Sequence, residues 1–211
     1  NLSDLDNETI VNTLINSGTW TALRTRPFSK IPNIQDRPNE IFISLIDSNH
    51  LSIDPELIIK SDEEHFNEGL KVLLRLTNNS LNVSTKPSST IKKLDLENLF
   101  YYEFDGPHPV GLVGTQIHNI SPASLSNKIW TIGYQDVLMI GKLFKTGLLD
   151  NTKKIALSGP MVKDPTMIIS ENGANLDEIL DGKTIGENNR IISGSVLNGS
   201  ESKAPTNFLG R

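Results

Sequence analysis

The run Ile41-Phe-Ile-Ser-Leu-Ile46 constrains this chain more than any other stretch. It is short and nearly continuous in apolar residues, which marks a strand covered on both faces; a half-solvated strand would alternate. Such a strand needs a layer on each side, and its neighbours in sequence supply helices. Ile10, Val11, Leu14 and Ile15 recur at helical spacing, with Asp6 placed to cap and Gly18 to stop, so residues 6 to 17 are read as a helix. A connection through Pro27, Pro32 and Pro38 leads into the strand, which ends at Asp47. Beyond it, Ser61 and Glu64 have capping-box spacing, and Phe66, Leu70, Leu73 and Leu74 form one stripe, predicting a helix over residues 62 to 76. Helix, strand and helix together predict an α/β layer.

From Thr77 to Ile91 the chain is polar and rich in Asn, Ser and Thr, with a short candidate strand at Leu81 to Val83; this segment is read as surface. Lys128 to Tyr134 reads as a strand, followed by a helix from Gln135 to Phe144 that Gly147 closes. After a strand at Lys154 to Leu157, β-like pieces at Thr166 to Ser170 and Arg190 to Ser193 flank a brief helix at Leu176 to Leu180 capped by Asn175. The expected organisation is therefore an α/β domain over 1–153 and a small α+β domain over 154–211.

Composition excludes several classes. A net charge of -5 and a pI near 5.4 leave no basic footprint for DNA or RNA, so no nucleic-acid partner is expected. With no cysteine there are no disulfides, thiolate metal sites, iron–sulfur ligands or cysteine nucleophiles. No apolar run approaches the roughly 20 residues that span a bilayer, so a membrane role is expected to be peripheral. The start at Asn1 without Met, and the stop at Phe208-Leu-Gly-Arg211, are read as a piece of a longer chain.

The densest motif is Gly106-Pro-His-Pro-Val-Gly-Leu-Val-Gly114-Thr-Gln-Ile-His118, followed by Ile129-Trp130 and Tyr134-Gln-Asp-Val137. With Arg24-Thr-Arg-Pro-Phe-Ser-Lys30, Ser158-Gly-Pro160, Asp164-Pro165 and Arg190-Ile-Ile-Ser-Gly-Ser-Val-Leu197, it resembles the A subunit of the bacterial sodium-translocating NADH:quinone reductases along nearly the whole chain. The resemblance implies a Rossmann-like α/β domain followed by part of a β-grasp domain of the SLBB class, with an N-terminal domain and a C-terminal helical region outside these residues. It implies a peripheral accessory subunit, on the cytoplasmic face of the bacterial inner membrane, of a translocase that couples NADH oxidation and ubiquinone reduction to sodium export. Its partners would be the other subunits of that complex, including one integral to the membrane, with ubiquinone a further candidate.

That family is similar in turn to the NADH- and FMN-binding subunit of respiratory complex I. In those flavin-binding relatives a loop of closely spaced glycines follows a helix, because backbone without Cβ lets the cofactor approach. Here the same place reads Ser17-Gly-Thr-Trp-Thr-Ala-Leu-Arg-Thr-Arg-Pro-Phe-Ser-Lys30, with one glycine. No cofactor is therefore expected on this chain, while the complex uses NADH, FMN and ubiquinone; the alternative is a flavin- or nicotinamide-binding redox subunit.

The individual motifs each allow two readings. Gly106, Gly111 and Gly114 are too widely spaced for a dinucleotide fingerprint, so Gly106, Pro107, His108, Pro109 and Gly111 form either a rigid loop before a helix or a contact for another subunit or a quinone head-group. His108 and His118, with His50 or His65, lack metal-site spacing, and the family often has a His where this chain has Gln116; structural roles and no metal are expected. Asp136 is read as an N-cap beside Tyr134 and Gln135, or Tyr134 and Asp136 protonate or orient a reduced quinone. Ser193-Gly-Ser195 has no nucleophile-elbow pattern and reads as a turn, and no catalytic residue is assigned.

Overall fold

The expected strand lies in the middle of a five-stranded sheet of order β1-β5-β2-β3-β4. Its strands are β1 (Arg24–Arg26), β2 (Glu40–Ser44), β3 (Ser80–Thr85), β4 (Leu99–Glu103) and β5 (Ile129–Thr131), in a computed structural model that describes residues 2–210. β2 runs parallel to both β3 and β5, β3 is parallel to β4, and β1 closes the far edge antiparallel to β5. Alternate residues of β2 and β3 face opposite ways. Ile41, Ile43, Leu81 and Val83 enter one core with α1 (Asn7–Asn16), and Phe42 enters a smaller one. Burying each such side chain contributes about 1.5–3 kcal/mol.

Asp6 caps α1 through the Thr9 amide at 2.7 Å, and Gly18 follows in the left-handed region, as the spacing predicted. After β2 the chain forms α2 (Pro55–Lys60) and α3 (Glu63–Leu74). α2 is a helix the periodicity did not predict; its signal is Asp54 as cap with Pro55 at the first turn. Ser61 consequently ends α2, donating to the Ile58 carbonyl, and Asp62 rather than Ser61 stands at the N-cap of α3.

Within the segment expected at the surface, the candidate strand at Leu81 to Val83 is present as part of β3, but β3 is buried, and β4 was not anticipated. Ser80 and Asn82 of β3 misled the reading because their bonds are internal. Asn82 donates to the Glu40 carboxylate at 2.7 Å, and the other oxygen of Glu40 accepts from Ser121 at 2.5 Å. A polar side chain with its partners inside is cheap to bury.

α4 (Val113–Ile120) covers the smaller core of Phe42, Ile117 and Ile129, while α1, α3 and α5 (Tyr134–Thr146) cover the larger one on the opposite face. α3 and α5 cross at Gly69 and Gly141. A Cβ on Gly141 would lie 1.7 Å from the His65 carbonyl oxygen, so the two backbones meet where no side chain fits.

The compact unit just described comprises residues 1–47 and 54–150; a second comprises 48–53 and 151–211. In the second, β6 (Thr152–Leu157) pairs antiparallel with β7 (Thr166–Glu171), and β8 (Ile192–Ser193) with β9 (Ser200–Glu201). Between them α6 (Leu176–Leu180) is capped by Asn175, which accepts from the Asp177 amide at 2.9 Å, as predicted. The class is thus a Rossmann-like mixed α/β sheet with a small antiparallel unit after it.

Candidate functional site at the carboxyl edge of the sheet

The strand order places one point of special geometry. From β2 the chain builds outward through β3 to β4, then α4 carries it back across to β5 on the other flank of β2. The order reverses between β2 and β5, and the place outside their carboxyl ends is the usual ligand position in open α/β sheets. β2 ends there at Ser44, with Leu45, Ile46 and Asp47 beyond; β5 leads through Ile132 and Gly133 into α5.

The proline–glycine loop is tied to this edge. Ser44 Oγ lies 3.3 Å from the Gly111 carbonyl oxygen, and Gln116 Nε2 donates to Ser44 Oγ at 2.8 Å and to the Val110 carbonyl at 3.0 Å. Two successive turns shape the loop: the Val110 amide donates to the Pro107 carbonyl and the Leu112 amide to the Pro109 carbonyl. Gly106, at φ 134, adopts a conformation that favours glycine. Gly106, Pro107, His108, Pro109 and Gly111 therefore sit together on a rigid loop at the switch point.

His118 is not with them. α4 runs from Gln116 beside Ser44 at one end of β2 to Ser121 bonded to Glu40 at the other, and His118 lies exposed in its last turn, where a basic side chain suits the helix dipole. Tyr134, Gln135 and Asp136 do reach the switch edge, as the first turn of α5. Asp136 is not the N-cap. Gly133 holds that position without a side-chain bond, and Asp136 stands inside the first turn, where its carboxylate complements the positive helix end.

Burial above all pushes the Tyr134 phenol up to about 12, opposed by the contact from Gln135 and helped by the smaller effects of the Asp47 and Asp54 charges. At neutral pH this phenol stays protonated. It can orient a carbonyl or phenolic oxygen by hydrogen bonding.

Two buried atoms here have no partner among the described residues: Gln116 Oε1 and Ser84 Oγ. Ser84 stands in register with Ser44 and faces the same side of the sheet. Buried polar atoms without a protein partner are places that an internal water or a ligand's polar group fills. Ser44 and Asp47 belong to the stretch Ile41-Phe-Ile-Ser with Asp47 that shares in the family resemblance, but sequence reasoning had assigned neither them nor Ser84 to the site. Ser44 carried a signal, as the one polar residue interrupting Ile41–Ile46; Ser84 lay in the segment read as surface.

Among the described residues no group of three or more His, Cys, Asp or Glu is arranged to hold a metal, and no helix is long and apolar enough to cross a membrane. At the other candidate cofactor position, after α1, Trp20 is buried edge-on against Trp130, with ring centroids 5.6 Å apart and planes at 83°. Its indole donates to the Pro32 carbonyl at 2.9 Å, and Leu23 is fully buried beside it.

Residues 5–149 match the family described as the NqrA second alpha/beta domain, and residues 154–204 the NQRA C-terminal domain. The chain is 44% identical over 210 residues to the A subunit of the Na(+)-translocating NADH-quinone reductase of Histophilus somni (strain 2336). It is 46% identical to that of Yersinia pestis and 44% to that of Neisseria meningitidis serogroup B. Each alignment covers 100% of this chain and 47% of the relative, so the chain spans about half the length of these proteins. Since the alpha/beta match alone takes in residues 5–149 of 211, the chain belongs to the NqrA family.

Proposed function

We propose that this chain is a peripheral accessory part of a sodium-pumping respiratory complex that couples NADH oxidation and ubiquinone reduction to Na+ export, and that it shapes or caps the quinone end without a redox cofactor of its own. The packed Trp20–Trp130 pair carries this reading. A flavin or nicotinamide site needs backbone that a ring can approach, and here an indole, Ala22 and Leu23 are buried in that stretch. FMN and NADH do not fit residues 17–30, so no redox step is assigned to them.

The names of the relatives support the link to NADH, quinone and sodium. In this reading the electron carriers lie in partner subunits, one of them integral to the membrane, and the chain sits on the cytoplasmic face of the bacterial inner membrane through them. Residues 1–153 act as the Rossmann-like domain and 154–211 as the SLBB-like one. The loop of Gly106, Pro107, His108, Pro109 and Gly111, with Tyr134, Gln135 and Asp136, meets a partner or the quinone head-group, and Tyr134 would orient that head-group; His118, on the far turn of α4, serves a partner contact instead. Shared ancestry with the NADH- and FMN-binding subunit of complex I belongs to the same proposal. Position supports it, since residues 17–30 follow the first helix where those relatives carry the glycine loop.

One observation favours the rival, a flavin- or nicotinamide-binding protein: α4 begins without a side-chain cap and without an acid in its first turn, and such a helix N-terminus attracts phosphate. Calorimetric titration of the purified chain with FMN, NADH and a short-chain quinone, with an absorbance spectrum, separates the readings. A colourless protein that binds neither FMN nor NADH is the expected result; tight binding of either would replace this proposal with the rival. Photoreactive quinone crosslinking in the intact complex then tests the loop, and label confined to partner chains would remove quinone from this surface.

A further inference from the structure

The connection between β1 and β2 is unlike the rest of the surface. Residues 24–37 carry Arg24, Arg26, Lys30 and Arg37 against one acid, Asp36, in a chain whose net charge is -5. Asp36 is already paired with Lys128 at 2.9 Å. The guanidinium of Arg24 donates to the carbonyls of Thr21 and Leu23, and that of Arg37 to those of Ile34 and Asp36, so their bonds leave the charge unneutralised. Arg26 is half-buried, and its Nε–H has no acceptor among the described residues. Interleaved with these cations are Phe28, Ile31 and Ile34, exposed by 65%, 49% and 53%.

The loop is built to hold these side chains out. The Thr25 amide bonds to the Lys30 carbonyl and the Ser29 amide to the Thr25 carbonyl, making a tight turn with Phe28 at its tip, and Ser29 takes a positive φ of 52. Its base is pinned where the Trp20 indole bonds the carbonyl of buried Pro32. A preordered loop meets a partner without ordering cost.

We propose that this loop docks the protein on the surface of an anionic phospholipid bilayer, with Phe28, Ile31 and Ile34 entering the headgroup–acyl boundary and Arg24, Arg26, Lys30 and Arg37 on lipid phosphates. Apolar wedges among cations are the composition of interfacial anchors, and a polybasic segment is drawn to negative lipid. Charge complementarity selects this occupant: a protein of net negative charge is repelled by an anionic membrane except where it turns such a patch toward it. A fluid apolar surface also demands no shape match from the three separated wedges, whereas a folded partner would. This contact stands independently of the quinone reading.

Flotation of the purified 211-residue chain with vesicles of phosphatidylcholine plus phosphatidylglycerol, against phosphatidylcholine alone, tests the proposal. Binding is expected only with phosphatidylglycerol, and is lost at high salt. Lys30→Ala should weaken partitioning about fivefold for the one charge lost, and Phe28→Ser several-fold; both side chains are exposed, so thermal unfolding of the variants is expected to stay unchanged as a check on folding. No binding to the anionic vesicles, or binding that neither substitution alters, overturns the proposal. If the vesicles fail and Phe28→Ser instead blocks assembly of the complex, the surface belongs to a protein partner.

Discussion

A half-buried tyrosine, Tyr134, and a buried tryptophan, Trp20, give the candidate surfaces their character. Tyr134 costs the folded state when it ionises, because its phenol is pushed up from 10.0 to about 12 mainly by burial. Its contribution is fully present below pH 10 and is lost as pH rises through 12, so the wild type should lose stability across that window relative to Tyr134→Phe. Equal pH profiles in chemical denaturation would contradict the assignment. Glu56 works at the acid end. Burial raises its carboxyl, but bonds from Ser89, the Thr90 amide and hydroxyl, and Lys60 outweigh that and hold it below the ordinary 4.5. Its stabilisation is present above that value and lost as pH falls through the lowered one, so Glu56→Gln should flatten part of the acid-induced loss of stability. That Trp20 packs edge-on against Trp130 needed the fold, since the two stand far apart in sequence.

Among the elements, the α3–α5 crossing is the tightest. Gly69 and Gly141 let the helices touch, and Gly141→Ala should cost about 1–3 kcal/mol or more, since backbone rather than a flexible side chain must move. Gly114 is a counterpart from the motif in α4, where an added Cβ meets nothing. Gly114→Ala should be neutral or stabilise by up to about 1 kcal/mol. Denaturant midpoints for the pair check both, and similar effects at the two positions would show that the close approach is absent. Helix ends were legible where a cap is a local matter: Asp6, Asn175 and Gly147 all stand as their types predict. Asn175→Ala is expected to destabilise the second unit by about 1 kcal/mol. A strand at Leu81 to Val83 was legible, but its burial within β3 was not, because Asn82 is satisfied by Glu40, distant in sequence, and nothing near Asn82 announces that partner.

At the scale of the whole molecule, the two units differ in how much they bury. The first holds its sheet between two apolar layers, whereas in the second only Leu157, Leu176 and Leu209 are buried among the described residues, with Met167 and Ile169 exposed on β7. Amides of β6 to β9 should therefore exchange with solvent well before those of β2, β3 and β5; equal protection would mean that the second unit has a core its side chains do not reveal. By itself the sequence determined what depends on neighbours along the chain. The covered strand after a proline-rich link, the first and last helices with their caps and the α/β class all follow from spacing and side-chain type. Only the tertiary structure decided what depends on residues far apart: the reversal of strand order that brings Ser44, Gln116 and Tyr134 to one edge, the separation of His118 from His108 along α4, and the burial of β3. Periodicity reports which face of an element is apolar, but the hydrogen bonds and close contacts that place a polar residue inside form between segments whose meeting is a property of the packed chain.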